Sequence, residues 1–378
     1  MKKILLSSAA IVAFAGAASA EITWSGSATL GYNDDFEDGI YVDADIDLSA
    51  STELNNGWTA SITYGFELDE IENGDEDGTG EADDKDGFNA DDNLTLKIYN
   101  DTFALTYGDT EYAAVSYWDG VSDMKADGFS EQDGEQVLKF EATYGDYGVA
   151  VSGILDADNQ ELGQGSVGAS ATFGAITAGI SYQEEWTGYS TGTVDAGDDY
   201  NDNEILAFFV GGSFAGADVK FAYAKEDIAT GGENESIGIE GAYPVGPVTL
   251  GAFYVSEDVY GSSEDQTYGI SALYEDGPLT AKVYYKQILG NDEYGIGATY
   301  DLGMGLTVSG GYIDGDNDGD DDLATYVAAE YDLGGGASFL ASYADANSTA
   351  AEDTDDIDTV TGGYELLSGT SLLLKLKF

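Results

Sequence analysis

The side chains that could do chemistry here are nearly all carboxylates. The sequence holds 73 aspartates and glutamates against 12 basic residues, and it has no histidine and no cysteine. Every basic residue is a lysine. Catalysis by a serine–histidine pair is therefore impossible, and metal centres built on histidine or cysteine are excluded. Two carboxylates could in principle hydrolyse a glycoside. Acids strung along solvated loops, however, lack the buried setting that shifts protonation and marks a catalytic pair. Neither an enzyme nor a resident cofactor is expected. A formal charge of −61 also rejects nucleic acid and repels other anions.

What remains for carboxylates to do is attract and sort cations, and three groupings could do it. Asp43, Asp45 and Asp47 alternate with apolar residues along one segment, so all three share one face. Residues 109–135 carry Asp109, Glu111, Asp119, Asp123, Asp127, Glu131, Asp133 and Glu135, with Lys125 alone opposing them. Asp314, Asp316 and Asp318, followed by Gly319, have the spacing that opens a calcium loop of the EF-hand kind. The twelfth position of that loop is Thr325, where a bidentate glutamate is wanted. It is expected to hold Ca²⁺ loosely if at all.

The elements that carry these acids have a period of two. Ile22, Trp24, Gly26, Ala28, Leu30 and Tyr32 alternate with Thr23, Ser25, Ser27 and Thr29. Residues 40–50 and 58–68 repeat the pattern, and no comparable helical period appears after residue 20. Three acids on one face cannot point into a dry core, so that face is wet. Connections alternate in kind. Short ones (Asn55–Gly57, Asn100–Asp101, Gly145–Asp146, 244–247, 275–278, 301–305, 332–336) exchange with mostly longer, acidic ones (69–91, 109–135, 156–162, 183–203, 225–234, 256–265, 313–322, 344–356). An aromatic stands just before the short turns: Tyr144, Phe173, Phe214, Tyr243, Tyr274, Tyr300 and Tyr331. Faces such as Ile176-Ala178-Ile180-Tyr182 and Val248-Leu250-Ala252-Tyr254 end in tyrosine near the long loops.

Short turns on one side, long loops on the other and two aromatic levels are what a transmembrane β-barrel shows. Hydrocarbon cannot satisfy an open sheet edge, so the strands must close. The prediction is an all-β, closed antiparallel barrel. About twenty segments near the ~9–11 residues that span a bilayer can be counted. Both chain ends on the short-turn side require an even number, from sixteen to twenty. Residues 360–364 read either as loop or as part of the last strand. At the other end, Lys2 and Lys3, the apolar Ile4–Phe14 and Ala18-Ser19-Ala20 form a signal peptide over 1–20, leaving Glu21 to begin the barrel domain 21–378.

Several motifs resemble the Gram-negative general porins, particularly their α-proteobacterial branch. They are the leader, the start Glu21-Ile22-Thr23-Trp24-Ser25-Gly26, and the alternating end Leu372-Leu373-Leu374-Lys375-Leu376-Lys377-Phe378. Ala298-Thr299-Tyr300-Asp301-Leu302-Gly303 and Tyr331-Asp332-Leu333-Gly334-Gly335-Gly336 are further echoes. The resemblance implies a homotrimer of sixteen-stranded barrels in the outer membrane, among lipid and lipopolysaccharide, passing small polar solutes and ions. It implies that Phe378 is read by the outer-membrane assembly machinery. The Glu21 amino group and the Phe378 carboxylate would then lie close and help close the ring.

The resemblance also implies that the third long loop, here 109–135, folds into the lumen as a constriction. The alternative is an external acidic loop. Such porins set arginines across from that loop; here lysines at wet-face positions (Lys97, Lys139, Lys220, Lys282, Lys286, Lys375) would have to substitute. With Asp43, Asp45 and Asp47 on the wall, cations and neutral solutes should be preferred over anions. The rival reading is a secreted, acidic, β-rich adhesin that binds divalent cations.

Overall fold

The computed structural model describes residues 20–34, 39–68, 88–90, 94–131, 136–156, 161–187, 200–315, 322–346 and 357–378. The signal peptide expected over 1–20 lies, apart from Ala20, outside them. So do Asp133 and Glu135.

Apart from Ile357–Asp358 and Glu365–Leu366, which pair with each other in a separate sheet, the strands from Glu21–Asn33 round to Gly369–Lys377 pair antiparallel in sequence order. The last strand then pairs with the first, Ser27 opposite Lys377 through Asn33 opposite Ser371. Thr95–Tyr99 and the short Phe88–Ala90 both pair with Thr59–Leu68, at its two ends, and act as one interrupted strand. The ring therefore has twenty positions. Of the even numbers allowed by the sequence, the barrel takes the largest rather than the sixteen implied by the resemblance.

Closure comes from backbone bonds. Gly26 N–H donates to the Phe378 carbonyl at 2.9 Å, and Phe378 N–H returns to the Gly26 carbonyl at 3.1 Å. Glu21 pairs with Ser51 instead, five residues further along the strand. At strand rise that is roughly 17 Å from the level of Phe378. The expected approach of the Glu21 amino group to the Phe378 carboxylate does not occur, because the register of the seam sets Gly26 there.

Side chains sort by parity around the whole ring. Trp24, Ile180, Val210, Ile239, Val283 and Ile296 face outward and stay exposed, Trp24 at 57%. Two-residue turns fix that parity: in Gly145-Asp146, the first residue has φ +59, the II′ hairpin pattern that matches strand twist. Tyr144, Phe173, Phe214, Tyr243 and Tyr331 stand on the outer face near the short turns, as the sequence predicts.

The other face holds serines, threonines, lysines and carboxylates, but also rings. Tyr41, Phe209, Phe253, Tyr284 and Tyr326 each lie flat over a glycine directly across the ladder: Gly31, Gly179, Gly269, Gly295 and Gly311. A Cβ at any of these glycines would come within 2.4 Å of the ring. Bare backbone thus covers part of each ring, which lies along the inner wall rather than across the lumen.

Candidate channel constriction

The loop after Phe103–Gly108 turns inward at its first residue. Gly108 has φ +117, and a Cβ there would strike the Leu94 carbonyl oxygen at 1.7 Å, so the turn requires glycine. Thr95 Oγ1 donates to the Asp109 carbonyl at 2.9 Å. Tyr112, Ala113 and Ala114 are then fully buried, and a single 3₁₀ turn spans Val115–Tyr117.

From there the loop runs across the inner face of seven consecutive strands. Ala113 N–H donates to Ser152 Oγ (2.9 Å) and Ala114 N–H to Ser166 Oγ (2.8 Å), while Ser181 Oγ donates to the Ala114 carbonyl (2.8 Å). Ser122 donates through both N–H and Oγ to Glu240 Oε2. Further on, Lys125 N–H donates to Glu257 (3.1 Å), Ala126 N–H to Ser236 Oγ (3.0 Å) and Ser130 N–H to Gln183 Oε1 (2.8 Å). Backbone donors that would otherwise be orphaned in the lumen are thus met by wall side chains.

Beneath them, Val121, Met124, Ala126 and Phe129 pack on Ile205, Ala207, Phe209, Ala222, Ala224 and Val255. Trp118 packs edge-on against Phe129 and Phe209, at 5.9 and 6.0 Å. The wall is cut to fit: a Cβ at Gly168 would lie 2.0 Å from the Ala113 carbonyl oxygen, and one at Gly238 would lie 2.8 Å from Val121. The loop is internal, and the external alternative is set aside.

Its acids do different things. Asp109 sits at the hinge, and Glu111 accepts from Ser116 Oγ at 3.1 Å. Asp119 pairs with the wall Lys220 at 2.5 Å. Asp127 accepts from Trp118 Nε1 at 2.9 Å. Glu131 is exposed at the end of the described stretch. Asp123, held at φ +55, lines a cavity of about 910 Å³. Of the six, Asp123 is the one that lines this cavity.

Facing it in the same cavity are Lys282, Tyr284, Lys286 and Glu293 on the wall, with Glu240 and Asp358 at its sides. Lys286 pairs with Glu293 at 3.3 Å, and Lys282 lies over the Tyr284 ring at 5.4 Å.

Of the wall residues singled out from sequence, Lys282 and Lys286 line this cavity, and the others face the lumen at other places. Asp43 shares a ladder row with Thr29 and Lys375, and Asp45 accepts from Ser27 Oγ at 3.1 Å; Asp47 lies on the same strand face. Lys97 lies over the Tyr99 ring at 5.3 Å. Lys139 Nζ donates to Ser116 Oγ at 3.1 Å, so it braces the loop. Asp314 belongs to the outer face, where Tyr312 OH (2.9 Å) and Tyr294 OH both donate to it. Asp316 and Asp318 lie outside the described residues.

Burial pushes the Asp127 carboxyl up to about 6 against the opposing effect of the Trp118 hydrogen bond, and the like charges of Asp123 and Glu226 add to the shift. The docked loop therefore binds a proton more readily than a free chain does. Docking should tighten as pH falls through about 6 toward the ordinary carboxylate range and loosen as pH rises through it. Hydrogen exchange at the Ala126 amide, corrected for intrinsic rate, should follow that dependence, and Asp127→Asn should weaken it, burial raising the carboxyl of Asp123 as well. An equally steep dependence in the Asp127→Asn protein would refute the assignment.

A sealed ring of strands, oily outside and wet within, with a loop folded onto its inner wall, defines a transmembrane β-barrel channel. The profile of the Gram-negative porins matches residues 7–290 and 288–374. The chain belongs to the Gram-negative porin family and is an outer-membrane channel protein of Gram-negative bacteria. No curated protein matches it. Among solved structures it is similar to a multiple mutant and a triple mutant of Rhodopseudomonas blastica porin. Each is 15% identical with a TM-score of 0.44, over 95% of this chain and 100% of that one.

Sequence reasoning missed Glu240, Glu293 and Asp358 as lining residues. Alternation with the outward Ile237, Ile239, Tyr294 and Ile296 puts the first two on the wet face, but only the path of the loop shows which wet-face acids meet it. Asp358 lies just before residues 360–364, the stretch that reads either as loop or as part of the last strand. Its signal is Ile357–Val360 followed by Gly362-Gly363, an alternation too short to cross a membrane.

Proposed function

We propose that the barrel passes small hydrophilic solutes and ions by passive diffusion and prefers cations to anions. The carrying observation is the lining of the cavity at Asp123, where four carboxylates (Asp123, Glu240, Glu293, Asp358) face two ammonium groups (Lys282, Lys286). In a confined lumen such an excess raises the local concentration of cations and excludes anions. No catalytic step is needed. The family supports assembly as a homotrimer in lipopolysaccharide-containing membrane, export by a leader removed before Glu21, and recognition of Phe378 by the assembly machinery. The adhesin reading gives no role to the exposed outer apolar band.

The test is a reversal potential in planar bilayers across a salt gradient of potassium chloride. It should take the sign of cation selectivity, and replacing Asp123 and Glu240 together by asparagine and glutamine should bring it toward zero. An anion-selective parent channel would overturn the proposal.

A further inference from the structure

We propose that residues 357–366 form a second constriction, so that solutes pass through a slot between this hairpin and the Asp123 tip of the first loop; the proposal rests on the porin reading. The hairpin holds its own shape. Ile357 pairs with Leu366 and Asp358 with Glu365, Thr359 N–H donates to the Tyr364 carbonyl (3.1 Å), and Gly362 N–H donates to the Thr359 carbonyl (2.7 Å). Strands of two residues each are too short to span hydrocarbon, so the segment is not part of the membrane wall.

It is seated on the inner face. Ile357, Val360 and Leu366 are buried against Tyr41, Tyr326, Ala328, Leu340, Ala344 and Leu373, all inward-facing. Tyr326 OH accepts from Val360 N–H at 2.7 Å, Thr361 and Thr299 share a hydroxyl bond of 2.7 Å, and Tyr364 OH donates to Glu330 at 2.9 Å. A Cβ at Gly297 would lie 2.7 Å from Val360, so here too the wall is relieved by a glycine under the inserted segment.

Asp358 and Thr361 line the same cavity as Ser122 and Asp123. The first loop covers the wall between Tyr147 and Asp258; the hairpin is seated on strands between Asn291 and Lys377 and on Tyr41. Between these stretches lie Gln266–Asp276 and Leu279–Ile288, which carry Lys282, Tyr284 and Lys286 and form the back of the cavity. Two acidic jaws and one lysine-bearing wall suit small cations and zwitterions, whose ammonium is drawn to the jaws and whose carboxylate is drawn to Lys282.

The chain has no cysteine, so Thr361→Cys in the full-length protein offers one thiol to a methanethiosulfonate reagent. In planar bilayers, attaching a trimethylammonium-ethyl or a sulfonatoethyl group should each lower single-channel conductance by about a third or more, because the path is confined. The cationic adduct should also reduce cation preference, and the anionic adduct should not. The same reagents on Asn56→Cys, at a short turn, should change neither. Complete labelling of Thr361→Cys, verified by mass, with conductance and selectivity unchanged would overturn the proposal. If that variant does not fold, Asp358→Lys should move the reversal potential toward anions, and an unmoved potential overturns it equally. A parent protein that forms no channel defeats the porin reading itself, a separate result.

Discussion

Excising Ala113–Phe129 and joining the ends with a short glycine–serine link raises single-channel conductance about two- to fivefold, as expected when a narrow segment is removed from a wet pore. The ladder should survive the excision, because the strand pairings from Phe103–Gly108 through Val248–Asp258 involve no loop residue. The cost falls on the inner wall. Ile205, Phe209 and Val255, now at 4% exposure or less, would meet water. Burying a side chain of that size is worth about 1.5–3 kcal/mol. The excised protein should therefore conduct more and unfold earlier in urea while keeping its barrel. Cation preference should weaken but persist, since Glu240, Glu293 and Asp358 remain. Unchanged conductance would show that the loop does not narrow the path.

Val210→Arg and Gly211→Arg, one residue apart, should have opposite outcomes. Val210 is outward, 41% exposed, and sits mid-strand between Leu206 and the lower aromatic Phe214. An arginine there meets hydrocarbon and should cost about 2–4 kcal/mol of folding stability. Gly211 is inward, beside Lys220, with no atom closer than 3.5 Å to a Cβ. Arginine at that point stays hydrated and should cost less than about 1 kcal/mol, while moving the reversal potential toward anions. Urea unfolding in lipid vesicles reads the first effect and bilayer recording the second. Equal destabilisation by both would mean that the faces have been assigned wrongly.

The sequence alone determined the barrel. A period of two, loops alternating short and long, and aromatics at two levels require strands whose oily face meets lipid and whose ends close on each other. Gly145-Asp146 sets a turn and Tyr144 marks the lower membrane level through local chemistry, so both could be read without contacts. The count of about twenty segments came from the same pattern.

Tertiary structure decided how the lumen is filled, because that depends on surfaces distant in sequence. Gly168 and Gly238 look like ordinary strand glycines until Ala113 and Val121 are seen over them. Asp119 and Asp127 are indistinguishable from Asp123 in the sequence, yet Lys220 pairs with one, Trp118 donates to another and only the third lines the cavity. Residues 357–366 carry too few alternating positions to declare a fate. The glycine relief at Gly297 and the hydroxyl of Tyr326 give them one. Parity is a local property of the chain, whereas the course of an inserted loop is a match between two surfaces that only the closed ring brings together.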